Sequence, residues 1–349
     1  MLKRTAQFER AELPKPLNQK PELAGGQGES VVVVVRASNL HSSHSESSPG
    51  LLRMVGWIMI CAVLWGSAFP AIKHVFTHWK ENGTEIDFAM RSLFSGVRFM
   101  VAGVALLLWA KSPIQEWRAT SLKWLFGLAG TQTVGQYVLF YWGLELSSAA
   151  LASLLVASGS FWWVLLAARF GHSAPLSWRQ WMVLGAGAMG VTLAVYSPGV
   201  SAGNPRLGAI AILGASFFGA VGLLCFQRVK PTMGARAGTG FALLLGGGGL
   251  TALGTPAIMR GDLSAFDGFV VSWTLWLAFV SAAAFALWNH LSTLMSAHQL
   301  ATYRFLIPLC GVLESLVLLD GEKLTPAMIM GGAVVLIAMT LVSRKKPAQ

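Results

Sequence analysis

Charged residues are scarce in this sequence. Asp, Glu, Lys and Arg make up 12% of the 349 residues, which is about half the share of an ordinary soluble domain. Hydrophobic residues make up 54%, and the mean hydropathy is +0.58. This composition excludes an ordinary soluble globular domain and predicts a protein embedded in lipid.

Cysteine is rare, and no metal-binding or cofactor motif is evident. Cys61, Cys225 and Cys310 lie in apolar stretches without CxxC or Cys/His spacing, which is typical of small packing residues. His74 and His78 have the i, i+4 spacing of a two-histidine metal face, but no Glu follows His74 and no third ligand is evident. We therefore expect solvated histidines in an outer loop, no metal and no cofactor. A phosphate-binding loop is also lacking, which argues against direct coupling to ATP.

Long apolar runs dominate the rest of the chain. A helix needs about 20 apolar residues to cross the hydrocarbon core, and ten runs approach this length. They cover residues 54–75, 88–110, 122–143, 149–168, 179–196, 207–227, 239–259, 272–291, 299–319 and 326–343. The gaps between them are short, so neighbouring helices should be antiparallel. The sequence predicts an all-α polytopic membrane protein with ten transmembrane helices.

The net charge of +11 is explained by the positions of the basic residues rather than by a nucleic-acid partner. Eleven basic residues flank the runs on one side: Lys111, Arg118, Lys123, Arg169, Arg179, Arg228, Lys230, Arg236, Arg344, Lys345 and Lys346. The other side has four: Lys80, Arg206, Arg260 and Lys323. By the positive-inside rule we expect a multi-pass protein of the cell membrane with both termini cytoplasmic. Residues 1–50 are polar and rich in Pro, Ser and Gly, so we expect a disordered cytoplasmic tail there.

The order of the runs repeats once. Leu146-Ser147 followed by Leu151-Ala152-Ser153 recurs, 149 residues later, as Met295-Ser296 followed by Leu300-Ala301-Thr302. Each half, 54–196 and 207–343, would hold five helices. Because five is odd, the second half enters the membrane with inverted orientation, which is the plan of many secondary transporters.

Several stretches resemble the EamA-type transporters of the drug/metabolite transporter superfamily. The first run reads Leu64-Trp65-Gly66-Ser67-Ala68-Phe69-Pro70, the fourth begins Ser148-Ala149-Ala150-Leu151, and the last hairpin reads Gly321-Glu322-Lys323-Leu324-Thr325. The resemblance implies two EamA repeats and transport of small polar metabolites by alternating access. The first half departs from the family pattern, because its matching hairpin, Gly171-His172-Ser173, lacks the acidic residue.

Four ionisable side chains remain inside the predicted spans: Lys73, Arg98, Arg304 and Glu314. Such residues are costly in lipid and are therefore candidates for function. We expect Lys73, Arg98 and Arg304 to bind substrate, with snorkelling of Lys73 and a fixed structural pairing of Arg98 as alternatives. Arg304 and Glu314 are separated by about 15 Å of helical rise, so they cannot pair with each other. Glu314 is the candidate for proton coupling, with an interfacial carboxylate tied to helix ends as the alternative.

The third run adds a polar sector. Gln132, Gln136, Tyr137 and Tyr141 lie on adjacent stripes of a helix and are predicted to line a cavity. Hydrogen bonding between helices is the alternative. At the corresponding place in the second half stand Trp288, Asn289 and His290. The glycines at 246–249 favour close helix packing over an unwound segment, because no proline accompanies them.

The leading hypothesis is a secondary transporter, in the export direction, for a small polar or amphiphilic metabolite such as an amino acid or a related compound. An intramembrane lipid-modifying enzyme is the first alternative, but it would need a nucleophile and base or a metal site at membrane depth. A sensor or scaffold that binds without translocating is the second. We expect a small-molecule substrate and the lipid bilayer as partners, no nucleic acid, and leave a homodimer open.

Overall fold

The computed structural model describes residues 51–170, 176–195, 204–295 and 303–343, and these ranges contain helices and short connections but no strand. The first half has α1 (Leu51–Glu81), α2 (Phe88–Leu108), α3 (Pro113–Ala119), α4 (Leu122–Leu128), a π-helical segment (Ala129–Gly135), α5 (Gln136–Leu146), α6 (Ala149–Val156), α7 (Gly159–Arg169) and α8 (Trp178–Val195). The second half has α9 (Pro205–Val229), α10 (Ala235–Leu253), α11 (Thr255–Met259), α12 (Gly268–Leu294), α13 (Leu306–Leu318) and α14 (Pro326–Ser343).

Five helical stretches in the described residues are long and apolar enough to cross a membrane. They are Arg53–Glu81, Phe88–Leu108, Ala149–Arg169, Pro205–Val229 and Gly268–Trp288. The other predicted spans also fall on helix, but these helices are shorter or interrupted. The chain is therefore a multi-pass helical membrane protein, while the complete ten-helix count stays a prediction.

The first helix is longer than its apolar run. α1 continues to Glu81, so His74 and His78 lie in a helix and not in the outer loop that we expected. The reason is a set of partners on the first turns of α12: His78 Nε2 is 2.8 Å from Asp267 Oδ2, and the His74 ring stacks on Trp273 with 5.4 Å between centroids. These contacts give the polar end of α1 a surface to pack on.

The third span is a composite of α4, the π-helical segment and α5. Within the π segment, the Thr131 hydroxyl donates to the carbonyl of Gly127 at 2.7 Å, and the Thr133 hydroxyl donates to Ala242 of α10 at 3.0 Å. A π segment adds a residue to the turn and rotates the side chains that follow. Gln132 lies in the π segment, whereas Gln136, Tyr137 and Tyr141 follow it in regular α-helix, so α-helical spacing does not fix the face of Gln132 relative to the other three.

Glycine pairs allow close contact between α2 and α10, which form the most extensive helix pair of the bundle. A Cβ atom on Gly247 would lie 2.9 Å from the carbonyl oxygen of Gly96, and one on Gly103 would lie 2.8 Å from that of Gly240. α10 runs unbroken through residues 246–249. The glycines thus serve close packing, the alternative that the sequence favoured.

The helix contacts are related by an exchange of the two halves. α2 packs on α10, α6 on α13 and α8 on α14, so these first-half helices each meet their second-half counterparts. α1 packs on α12 and α13, while its counterpart α9 packs on α5, α6 and α7. The helix pairs named here therefore recur when each helix is replaced by its counterpart in the other half.

Candidate functional site

A buried arginine stands where the two halves meet. Arg98, ten residues into α2, exposes only 3% of its surface. Its Nη1 donates to the hydroxyl of Tyr141 on α5 at 2.7 Å, and its Nη2 donates to the hydroxyl of Ser281 on α12 at 3.1 Å. One guanidinium therefore connects two helices of the first half with one of the second.

Aromatic rings surround this guanidinium. The Arg98 Cζ lies 4.5 Å from the ring centroid of Phe99, 5.7 Å from that of Tyr137 and 6.0 Å from that of Tyr141. Ring faces attract a cation, and each such contact is worth about 0.5–2 kcal/mol depending on its desolvation. We refer to Arg98, Phe99, Tyr137, Tyr141 and Ser281 as the Arg98 site.

The positive charge of Arg98 has no carboxylate partner within the described part of the chain. None of the ion pairs found there involves Arg98, and its Nε atom is buried without a hydrogen-bond acceptor. An unpaired ion in a protein interior costs on the order of several kcal/mol. The fixed pairing with a carboxylate that was open from the sequence is thus not formed among these residues.

A narrow crevice runs along the Arg98 site between α2 and α5. It is lined by Phe88, Arg91, Ser92, Ser95, Tyr137, Val138 and Tyr141, and it is too tight to hold a water molecule. The crevice meets the Arg98 site at Tyr137 and Tyr141 and includes Arg91, seven residues closer to the start of α2 than Arg98. In this conformation the crevice has no room for water.

Charged side chains, among them Arg91 of the crevice, cluster at the end of the bundle that carries the fewer basic residues, which we call the opposite end. Arg91 donates to the backbone carbonyl of Ile86 at 2.8 Å and forms an ion pair with Glu145. Lys73 donates to the backbone carbonyl of Glu145 at 3.4 Å and also interacts electrostatically with Glu322. Lys73 therefore has partners at the helix ends and stands apart from Arg98.

Glu322 connects the two halves at the same end. Its Oε1 accepts a hydrogen bond from the backbone nitrogen of Ala149 at 2.5 Å, at the first residue of α6, while its Oε2 is buried without a partner. A carboxylate at a helix N-terminus is stabilised by the helix dipole. Lys73, Arg91, Glu145 and Glu322 form the opposite-end cluster.

Glu314 lies on α13 against α1. A Cβ atom on Gly66 of α1 would come within 2.7 Å of its Oε1, and this Oε1 is buried without a hydrogen bond. No ion pair of Glu314 occurs among the described residues, so no helix end or cation ties this oxygen. An unpaired carboxyl oxygen at a glycine-mediated helix contact is a suitable place for a proton.

The glutamines of the third span face away from Arg98. A Cβ atom on Gly222 of α9 would lie 2.6 Å from the Cβ of Gln132. A Cβ atom on Gly219 of α9 would lie 2.7 Å from the amide oxygen of Gln136. Tyr137 and Tyr141 belong to the Arg98 site instead. The predicted polar sector is thus divided between two interfaces, with the glutamines against α9 and the tyrosines against α2.

Two of the remaining candidates, Trp288 and His290, contact aromatic rings of α1. The Trp288 ring lies 5.4 Å from that of Trp65, and the exposed His290 ring lies 5.4 Å from that of Trp57. Arg304 is half-buried in a 3₁₀ turn, Tyr303–Phe305, while the side chain of Asn289 lies outside the described residues. No contact found in the described part of the chain joins these side chains to Arg98.

Sequence reasoning did not single out Ser281, Arg91 or Glu145. Ser281 sits in an alanine-rich stretch of α12 without any local signal. Arg91 and Glu145 are 54 residues apart and stand at the ends of apolar runs, where charges are ordinary. Glu322 was visible in the last hairpin, but its contact with α6 required the fold.

Comparisons with known proteins bear on the family and the fold of this chain. Residues 52–196 match the EamA-like transporter family. A "Probable terminal-alkyne amino-acid exporter" of Streptantibioticus cattleyicolor is 28% identical over 309 residues, covering 84% of this chain and 95% of that protein. A protein of known crystal structure, 14% identical, has the same fold with a TM-score of 0.53 over 81% of this chain and 95% of its own. The resemblance found in the sequence is thereby confirmed.

Proposed function

We propose, from the match of residues 52–196 to the EamA-like transporter family, that this chain is an integral membrane transporter that exports a small polar or amphiphilic metabolite, an amino acid or a related compound, by alternating access. The observation that carries the proposal is Arg98, a buried cation without an anionic partner among the described residues, held where helices of both halves converge. A binding site at the junction of two repeats is the arrangement that alternating access requires.

The helix contacts support the inverted-repeat arrangement. If each helix of the first half is exchanged for its counterpart in the second half, the contacts of α1 become those of α9. The pairs α2–α10, α6–α13 and α8–α14 are unchanged by this exchange. Two halves related in this way can rock against each other around a fixed middle. The two predicted repeats, 54–196 and 207–343, are the rocking units in this proposal.

The closed crevice supports a gating step. Charged contacts at the opposite end and a crevice without room for water describe a state in which substrate cannot enter from that end. We assign the opposite end to the outside of the cell, on the basis of the basic residues that flank the other end. Export then requires that the opposite-end cluster separates.

The relative from Streptantibioticus cattleyicolor supports the direction and the class of substrate. It is named as an exporter of an amino acid, and 95% of it is covered by the match. Glu314 is the residue to which we assign proton coupling, since its Oε1 is buried and lacks a hydrogen bond. Lys73, Gln132, Gln136, Trp288, Asn289, His290 and Arg304 are assigned to the substrate path outside the Arg98 site.

Flux through purified protein tests the proposal. The full chain is reconstituted in proteoliposomes, and efflux of a panel of labelled amino acids and related carboxylates is measured with and without a proton gradient. We expect efflux of at least one compound, and we expect Arg98→Ala to reduce it far more than it reduces the thermal stability of the protein. An absence of flux across the panel would contradict the proposal. Full flux in Arg98→Ala would remove Arg98 from the site.

A further inference from the structure

The hydrogen bonds of the Arg98 site are unbalanced toward donors. A guanidinium carries five N–H donors in a planar fork, and Arg98 places one on Tyr141 and one on Ser281. Its Nε–H has no acceptor. The phenolic oxygen of Tyr141 accepts from Arg98, and no hydrogen bond donated by its proton occurs among the described residues. Several N–H and O–H donors of Arg98 and Tyr141 therefore lie close together without an acceptor among the described residues.

The acceptors that are present are already committed. The Ser281 hydroxyl donates to the carbonyl of Leu277 at 3.0 Å, so it receives from Arg98 but offers no proton to a second partner. The aromatic faces of Phe99 and Tyr137 attract the cation without accepting its N–H groups in a directed way. One negative charge with two acceptor oxygens would satisfy both the charge and the unused donors.

We infer that the Arg98 site binds the carboxylate group of the transported compound, and that the bound compound is a small monocarboxylate with an apolar remainder. This inference rests on the proposed transport function and names the chemistry of its substrate. A carboxylate matches the guanidinium fork with two parallel charge-assisted hydrogen bonds. The Tyr141 hydroxyl then donates its free proton to the same group.

The apolar remainder follows from the surroundings of the site. Phe99 and Tyr137 pack with their ring centroids 4.2 Å apart, and the cluster around Phe99 continues through Val134, Ala282 and Phe285. None of these side chains carries a charge. A second carboxylate on the ligand would find no cation among these side chains, so a dicarboxylate is disfavoured.

Binding of matched acids and amides tests this inference without knowledge of the natural substrate. The probes are butyrate and norvaline, compared with butyramide and norvalinamide, and the readout is the thermal unfolding of the full chain in detergent followed by tryptophan fluorescence. We expect the two acids to raise the unfolding temperature and the two amides to have a much smaller effect. Equal effects of acid and amide, or no effect of either acid, would overturn the inference.

Variants connect the acid preference to Arg98. Arg98→Gln should weaken acid binding by about 10- to 100-fold, the loss typical for a hydrogen bond to a charged group, and Arg98→Lys should retain part of it. Arg260→Gln is the matched control, because Arg260 is an exposed arginine paired with Asp87 and Asp262. An unchanged acid preference in Arg98→Gln would overturn the inference. If Arg98→Gln does not fold, Tyr141→Phe replaces it, because this variant removes one donor to the carboxylate. A weaker preference for acid over amide in Tyr141→Phe than in the wild type supports the inference, and an unchanged preference overturns it.

The same samples separate this inference from the transport proposal. Acid-selective binding without flux in proteoliposomes would contradict transport and leave the carboxylate site in place. Flux of compounds without any preference for the acid would contradict the carboxylate site and leave transport in place.

Discussion

Removal of one charge at the opposite end should open the crevice. In Glu322→Gln the amide oxygen can still accept the hydrogen bond from Ala149, which is 2.5 Å long in the wild type. What is lost is the negative charge at the start of α6 and its attraction for Lys73. The substitution therefore tests the electrostatic part of the contact between the two halves.

The size of the effect follows from the partly buried position of Glu322. A charge at a helix N-terminus contributes up to about 2 kcal/mol in partly buried geometry. If this contact exists only in the closed state, a loss of about 1–2 kcal/mol shifts the ratio of open to closed protein by about 5- to 30-fold. The corresponding hairpin of the first half has no acidic residue in its sequence Gly171-His172-Ser173.

A cysteine at Ser95 reports the opening. Ser95 is buried and lines the crevice between Arg91 and Tyr141. With Cys61, Cys225 and Cys310 replaced by alanine, Ser95→Cys is exposed to a membrane-impermeant maleimide added outside intact cells. We expect the labelling rate to rise about 5- to 30-fold when Glu322→Gln is added, in line with the population shift.

The control is Asp320→Asn, which removes the same charge two residues away. Asp320 is exposed and makes no hydrogen bond or ion pair in the described ranges. Its labelling rate should equal that of the wild type. Equal rates for Glu322→Gln and the wild type, or an equal rise in both variants, would refute the reasoning. Labelling from the cytoplasmic side alone would reverse the proposed orientation.

Three further predictions concern single positions. Glu314→Gln should abolish the dependence of flux on a proton gradient while leaving acid binding intact, and a retained gradient dependence would exclude Glu314 from coupling. Gly247→Ala should destabilise the protein by about 1–3 kcal/mol, because its Cβ would lie 2.8 Å from the backbone nitrogen of Met100. Gly248→Ala, whose Cβ would meet nothing within 4 Å, should be neutral in the same unfolding assay. The hydrogen bond from the backbone N–H of Val270, together with His78, lowers the pKa of Asp267. The ionised Asp267 carboxylate therefore stabilises the fold at neutral pH, and this stabilisation is lost as the pH falls through the lowered pKa. Asp267→Ala should therefore lower the unfolding temperature at neutral pH but not in strong acid, and an equal loss at both would contradict this.

Parts of the fold were predictable because they depend on local chemistry. Apolar runs of about 20 residues must be helical in lipid, since every backbone group has to be satisfied within its own segment. The end of α1 was misplaced because Asp267 and Trp273, almost 200 residues away, support it. Gln132 and Gln136 were placed on one stripe and Tyr137 and Tyr141 on the adjacent one, but the helices that these stripes meet were hidden, because they depend on the packing of α9 and α2.

The candidate site was predictable only one residue at a time. Arg98 and Tyr141 were selected by the cost of polar groups in lipid, which the sequence displays directly. Their contact with each other and with Ser281 could not be derived, because it depends on how α2, α5 and α12 pack. Lys73 was placed near a span end, but α1 continues eight residues beyond it, and its partners, Glu145 and Glu322, come from other parts of the chain.

The sequence by itself determined that this protein is helical, lies in the membrane and carries an EamA-like transporter domain, because hydropathy and motif order are properties of the chain alone. The tertiary structure decided which charges meet. It left Arg98 without a carboxylate among the described residues and brought Glu322 to the first residue of α6. The physical reason is that electrostatic and hydrogen-bond energies depend on distances of a few ångströms between helices, and the sequence does not contain these distances.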